Sequence, residues 1–157
     1  DTNYNLLFSQ GSGDVVAKVD SGIWYNPNSN LLAVGGSIQA GGNITAYFSD
    51  ERLKEKVDLI EFATEKLCEI DVFKYKPNVL ANTFGYTSEN VEVGVSAQSV
   101  QKVLPEVVSL APFDMDEEGN SKSGEDYLTV DYARLVPLLI ESIKELNERI
   151  KVLEGGV

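Results

Sequence analysis

The feature that most constrains this chain lies near its end. Tyr132, Val136, Leu139, Ile143, Leu146, Ile150 and Leu153 follow one another at steps of 4, 3, 4, 3, 4 and 3 residues. An apolar repeat of 3.5 residues is a seam for another helix, narrower than the stripe that buries a helix against its own domain. Val136, Ile143 and Ile150 take the a positions, and Leu139, Leu146 and Leu153 take the d positions. β-Branched residues at a with leucine at d lean towards pairs of helices, so the seam alone does not set the number of chains. Asp131 is placed to cap this helix, and Pro137 either kinks it or marks its first turn. The coil is expected over about residues 131–154, with Glu141–Lys144 or Glu145–Arg149 pairing on its outer faces. A helix packed back on its own domain is the alternative.

The first 48 residues have a different texture. Val15–Val19, Gly22–Tyr25, Leu31–Val34, Ser37–Ala40 and Asn43–Phe48 read as short strands, separated by Asn26-Pro27-Asn28-Ser29-Asn30, Gly35-Gly36 and Gly41-Gly42. Pieces so short bury too little apolar surface for an independent sheet, and identical chains side by side would supply the missing neighbours. A small β-appendage on a single chain is the plainer reading. Asp1 is an odd first residue and points to the C-terminal piece of a longer chain.

From Ser49 onward helices enter. Ser49 before Asp50 and Glu51 is a good N-cap with acids in the first turn. Leu59, Phe62, Ala63 and Leu67 predict a helix over about Asp58–Cys68. Glu69–Lys76 alternates as a half-buried strand stopped by Pro77, and Val91–Val95 predicts a second strand after a loop over about residues 78–90. Ala97–Leu104 predicts a short helix ended by Pro105, and Val107-Val108 begins another extended piece. Residues 114–126 read as an acidic hairpin tip without the spacing of a calcium loop, and Tyr127–Val130 is a last strand. Together these make an α+β chain: a short-stranded β-rich segment over 1–48, then a small mixed domain over 49–157 with the C-terminal coil.

The chemistry open to such a chain is narrow. It contains no histidine, which removes Ser-His-Asp and Cys-His catalysis and the commonest metal ligand. Cys68 is the only cysteine, so neither an intrachain disulfide nor a zinc cluster is available, and it reads as a core thiol. No metal and no cofactor is expected. The net charge of −12 disfavours nucleic acid and anionic membranes as partners, and no apolar run is long enough to span a bilayer.

Ser49 and Lys54 then stand out as a serine with a lysine nearby. A desolvated lysine can serve as base for a serine hydroxyl, and first-turn N–H groups can hold an oxyanion. The nearest electrophile is the carbonyl of Phe48, whose tethering to the serine gives a high effective molarity. Five residues of α-helix turn through about 500°, so Ser49 must lie outside any helix carrying Lys54, or the lysine must come from another chain. Alone, an ordinary N-cap beside a surface lysine is the stronger reading of this pair.

Four segments in order change that balance: Ser49-Asp50-Glu51-Arg52-Leu53-Lys54, Gly94-Val95-Ser96-Ala97-Gln98-Ser99-Val100-Gln101, Leu104-Pro105-Glu106-Val107-Val108, and Asp131-Tyr132 before the terminal coil. Together they resemble the peptidase S74 family, the C-terminal intramolecular chaperone domain of phage tail fibres, tailspikes and endosialidases. The resemblance covers about residues 49–154, and the stretch from Trp24 to Ile38 looks like the fibre stem that precedes such domains. It implies an intertwined homotrimer that assists folding of the upstream fibre domains of its own chain. It then implies release by a single cut at Phe48–Ser49, with Ser49 as nucleophile and Lys54 as general base. Asp50 and Arg52 match the family's acid and arginine, with local structural roles expected, and Gln98 is expected to shape the domain. The implied location is the virion tail fibre or tailspike, with the precursor in the host cytoplasm. Two other readings are a non-cleaving trimeric tip that contacts a receptor, and an oligomerisation domain of a cellular protein.

Overall fold

The structure is a computed structural model that describes residues 4–8, 18–27, 30–34, 38–44, 49–116 and 118–155. It divides into two compact units, Asp1–Glu55 and Lys56–Val157, so Ser49 to Lys54 fall in the first. That unit contains a three-stranded antiparallel sheet in the order β1 (Tyr4–Phe8), β2 (Lys18–Asn26), β3 (Leu31–Val34). β2 and β3 form the hairpin that the Asn-Pro turn cluster predicts, with Ile23 opposite Val34 and Asn26 opposite Leu31. Asn30 takes a left-handed conformation (φ 52°) and accepts a 2.9 Å hydrogen bond from the Tyr25 hydroxyl. β1 was not anticipated, because Tyr4–Phe8 shows no clean alternation, although the turn residues Ser9 to Asp14 follow it.

Two expectations for this unit change. Ile38–Ala40 and Asn43–Ile44 are not strand, since no ladder partner pairs with them among the described residues. Residues 15–17, 35–37 and 45–48, including Phe48 of the expected cut, lie outside the described residues.

The second unit is built from α1 (Ala63–Cys68), β4 (Val72–Tyr75), α2 (Val79–Thr83), β5 (Glu92–Val95), α3 (Ala97–Val103), β6 (Val108–Leu110), β7 (Leu128–Val130) and α4 (Val136–Leu153). β4 pairs antiparallel with β5, and β6 with β7, as two separate ribbons. Its buried apolar side chains are Ala63, Val100, Val107, Ala111 and Leu138. β4 is exposed along its whole length rather than half-buried, because no layer of the described residues packs over the two-stranded ribbon. α2 is a further turn of helix inside the expected loop, capped by the Asn78 side chain on the Ala81 N–H.

α1 is shorter than predicted. Phe62 sits in the left-handed region (φ 55°, ψ 40°), which no α-helix continues through, so the helix starts at Ala63. Leu59 and Phe62, read as its buried face, are exposed. Cys68 is also exposed rather than a core thiol, because this six-residue helix buries its Ala63 end and leaves its last position at the surface.

The acidic hairpin closes around one buried carboxylate. Asp114 accepts hydrogen bonds from the Ser121 hydroxyl (2.7 Å), the Ser123 N–H (2.9 Å) and the Tyr127 N–H (3.0 Å). Phe84, Phe113 and Tyr127 stack beside it, with ring centroids 4.7–5.7 Å apart, and tie the loop after α2 to this hairpin. Asp131 caps a 3₁₀ turn (Tyr132–Leu135) through the N–H groups of Ala133 and Arg134, and Pro137 then falls in the first turn of α4. Of the two expectations for that proline, the helix start holds.

Candidate functional site

Ser49 to Lys54 surround a single 3₁₀ turn, Glu51–Leu53. Its cap is Asp50, not Ser49: the Asp50 carboxylate accepts the Arg52 N–H at 3.0 Å. The same carboxylate takes the Arg52 guanidinium in a fork, with Nε 3.0 and 3.2 Å from its two oxygens and Nη2 at 2.6 Å. Asp50 wins the cap because Arg52, two residues on, supplies backbone and side-chain donors to one carboxylate. The Arg52 side chain, then its N–H, hold Asp50 below the usual carboxylate range, and Asp50 in turn raises Arg52. Asp50 and Arg52 are thus each other's partners at this turn.

Within the turn, Leu53 N–H donates to the Asp50 carbonyl (3.2 Å) and Lys54 N–H to the Glu51 carbonyl (3.1 Å). With Arg52 N–H held by the Asp50 carboxylate, the expected row of open first-turn donors for an oxyanion is largely used up. Ser49 precedes the cap and Lys54 follows the turn in extended conformation (φ −123°, ψ 131°), so the serine lies outside the helix. Both side chains are exposed, and neither has a side-chain partner among the described residues; no hydrogen bond joins Ser49 Oγ to Lys54 Nζ. The structure brings Asp50 and Arg52 together and leaves the serine and lysine as separate, solvent-facing groups.

Gln98 belongs to the second unit. It lies in the first turn of α3, exposed, with Oε1 accepting from the Ser96 hydroxyl at 3.4 Å. Ser96 also caps α3 on the Ser99 N–H, and the Ser99 hydroxyl accepts from Asp71 N–H at 3.0 Å while donating to the Ser96 carbonyl. Gly94 is needed just before: a Cβ there would lie 3.0 Å from the Tyr132 hydroxyl and 3.1 Å from Tyr75 Cε1. The Tyr132 hydroxyl accepts the Val95 N–H at 3.1 Å. The segments Gly94–Gln101 and Asp131-Tyr132, far apart in sequence, thus form one structural joint between β5, α3 and the approach to α4.

α4 has two distinct faces. Ser142 is buried beside α1, Leu138 is buried on the same side of the helix, and Glu145 reaches across to cap α1, accepting from Ala63 N–H (2.8 Å), Thr64 N–H (2.8 Å) and the Thr64 hydroxyl (2.7 Å). Those donors, the Thr64 hydroxyl foremost, hold Glu145 below its ordinary range. Arg149 pairs with Glu65 at 2.5 Å, so the expected Glu145–Arg149 pair is replaced by two bonds to α1, whereas Glu141–Lys144 forms at 2.9 Å. The seam residues Val136, Leu139, Ile143, Leu146, Ile150 and Leu153 are all exposed, from 42% at Leu139 to 85% at Leu153. At 100° per residue the seam is centred about 100° around the helix from the α1 face. The helix does pack on its own domain, but with a face other than the heptads. Glu145 is the contact that sequence reasoning missed, for no local pattern marks a cap 82 residues away.

Among the described residues, no helix is long and apolar enough to cross a membrane. Residues 49–109 match the peptidase S74 family, described as chaperone of endosialidase. The chain is 36% identical over 107 residues to long tail fiber protein Gp37 of Enterobacteria phage M1, covering 68% of this chain and 38% of that protein. To the Gp37 of Enterobacteria phage T2 it is 30% identical over 150 residues, covering 87% of this chain and 10% of that protein. The chain therefore spans well under half the length of these relatives. The likeness to the peptidase S74 family lies in the segment that begins at Ser49.

Proposed function

We propose that this chain is the chaperone segment at the end of a phage long tail fibre, which assembles as a homotrimer and then cuts itself free at Phe48–Ser49. What carries the proposal is the family match together with its starting point: it begins at the serine that would become the new N-terminus. The relatives named as long tail fibre proteins support the virion fibre as the location and the upstream fibre of the same chain as the client.

Assembly runs through α4. Six exposed seam residues on one helix face are apolar surface that a second and third copy would bury. In a parallel, in-register pairing the g positions Leu135, Ser142 and Arg149 run beside the e positions Ile140, Asn147 and Glu154 of a neighbour, but Ser142 is buried and Arg149 is held by Glu65, so the apolar seam itself carries the pairing.

Cleavage proceeds by attack of Ser49 Oγ on the Phe48 carbonyl carbon. Lys54 takes the hydroxyl proton and returns it to the departing Ser49 nitrogen as the C–N bond breaks. The product is an ester between the Phe48 carbonyl and Ser49 Oγ, with a free Ser49 amine. Water then hydrolyses that ester, leaving a Phe48 carboxylate and a restored serine hydroxyl. Desolvation is what makes a lysine a base, and Lys54 is exposed in the single chain. Burial on assembly would therefore tie cutting to successful trimerisation. The Asp50–Arg52 clasp keeps Lys54 at a fixed remove along the chain from the serine.

Electrophoresis of purified protein tests this. Wild type should yield fragments 1–48 and 49–157, and Ser49→Ala should stay whole. A Lys54→Ala chain that cuts at the normal rate rejects the base assignment alone. The second reading, a trimeric tip that stays attached and contacts a receptor, is favoured by the lack of a Ser49–Lys54 hydrogen bond within the chain. It predicts an intact wild type.

A further inference from the structure

We infer that α1 of one copy packs against α4 of the next, so that each α1 fills the groove between two neighbouring α4 helices. The inference rests on the proposed self-association through the seam and adds a second surface to it.

The geometry follows from the two faces of α4. Its α1-facing residues Leu138, Ser142, Glu145 and Arg149 centre about 100° from the seam, on the side of the g positions Ser142 and Arg149. In a three-fold bundle the direction to each neighbouring helix lies 30° to either side of the seam's centre, because the three axes form an equilateral triangle. On the g side this leaves about 70° between α1 and the neighbouring α4. With ordinary interaxial distances of 8–10 Å, those two axes lie about 10 Å apart, which is packing distance. In a two-stranded assembly the angle returns to about 100° and the axes separate to about 14 Å, beyond contact.

What the neighbour presents there is its e flank, and this flank fits. Ile140 at e is half-exposed in the chain, where a coiled coil usually carries Glu or Lys, and Asn147 is uncharged. Ile140 and Asn147 lie about 170° around α4 from their own α1, so they cannot reach it. If they meet an α1, it belongs to another copy. Arg149, which a plain coiled coil would commit to a neighbour, is here drawn onto Glu65 and holds α1 at the groove. Lys66 and Leu67 are half-buried in the single chain and Cys68 is exposed, so α1 has surface left to cover.

A photo-crosslinker placed at an e position tests this. Asn147, which is exposed, is replaced by p-benzoylphenylalanine in full-length Ser49→Ala chains, and light and ¹⁵N-labelled copies are mixed before assembly. Irradiation should give mixed-isotope links from position 147 to residues 63–70, and the same probe at Glu148, on the outer face, should not. Links from position 147 only to the other copy's α4, in chains that native mass shows to be trimers, overturn the α1 contact while leaving the seam intact. Native mass showing monomers overturns the seam reading and this inference with it.

Discussion

Truncating Ile143 separates the fold of the chain from its assembly. Ile143 is 65% exposed in the single chain, whereas Leu138, five residues earlier, is fully buried. Burying an isoleucine side chain completely is worth about 1.5–3 kcal/mol, so about two thirds of that, roughly 1–2 kcal/mol per chain, remains to be gained on assembly. Three copies share the layer, so Ile143→Ala should weaken the trimer by about 3–6 kcal/mol, or roughly 10²–10⁴ in its association constant. The isolated chain should lose little. Leu138→Ala should instead cost about 2–5 kcal/mol of folding stability whatever the concentration. Sedimentation across a dilution series, with thermal melts at each concentration, reads both. An Ile143→Ala protein with unchanged trimer dissociation, or one whose loss of stability does not depend on concentration, would refute the assignment of the seam to assembly.

Other outcomes follow from single contacts. Gly94→Ala places a methyl against the Tyr132 hydroxyl and Tyr75, and should cost about 1–3 kcal/mol in chemical denaturation. Alanine at the exposed Gly119 is strained for another reason, its φ of 89°, and serves as the contrast. Acid should loosen α1 before the rest of the second unit. Glu145 is lowered from an ordinary 4.5, so its contribution is present above that value and is lost as pH falls through the lower folded value. Glu145→Gln should flatten that part of an acid titration followed by helical circular dichroism. At Asp114 burial pushes the carboxyl up, but the Ser121 and Ser123 side chains and the Ser123 and Tyr127 N–H groups outweigh it and bring it to about 2. The stabilisation it supplies should therefore be full above 3.8, decline as pH falls towards about 2 and be gone below that, and Asp114→Ala should abolish protection of the Ser123 and Tyr127 amides from hydrogen exchange.

Much of the second unit was legible because its signals are local. Pro105 stops α3, Asp131 caps the turn before α4, Pro137 opens that helix, and alternation around Val72–Tyr75 and Glu92–Val95 marks a strand pair. What escaped was set at a distance. The start of α1 depends on Glu145 and on a left-handed Phe62, neither of which has a pattern in the residues around Ala63. The exposure of Cys68 and of β4 follows from how little of the chain packs over them. At the junction, Ser49 and Asp50 are both good caps, and only the fork with Arg52 decides for the acid. Ser49 and Lys54 stand out as candidates only through the company of Gly94–Gln101 and Asp131-Tyr132, segments that fold into a joint of the second unit.

The most direct test of the central claim is intact mass on freshly purified wild-type chain, followed over time beside Ser49→Ala, with oligomeric state measured on the same samples. The account predicts that assembled wild type resolves into residues 1–48 and 49–157, the second beginning with a free Ser49 amine, while assembled Ser49→Ala stays whole. A wild type that is fully trimeric and remains at the mass of the uncut chain would contradict it.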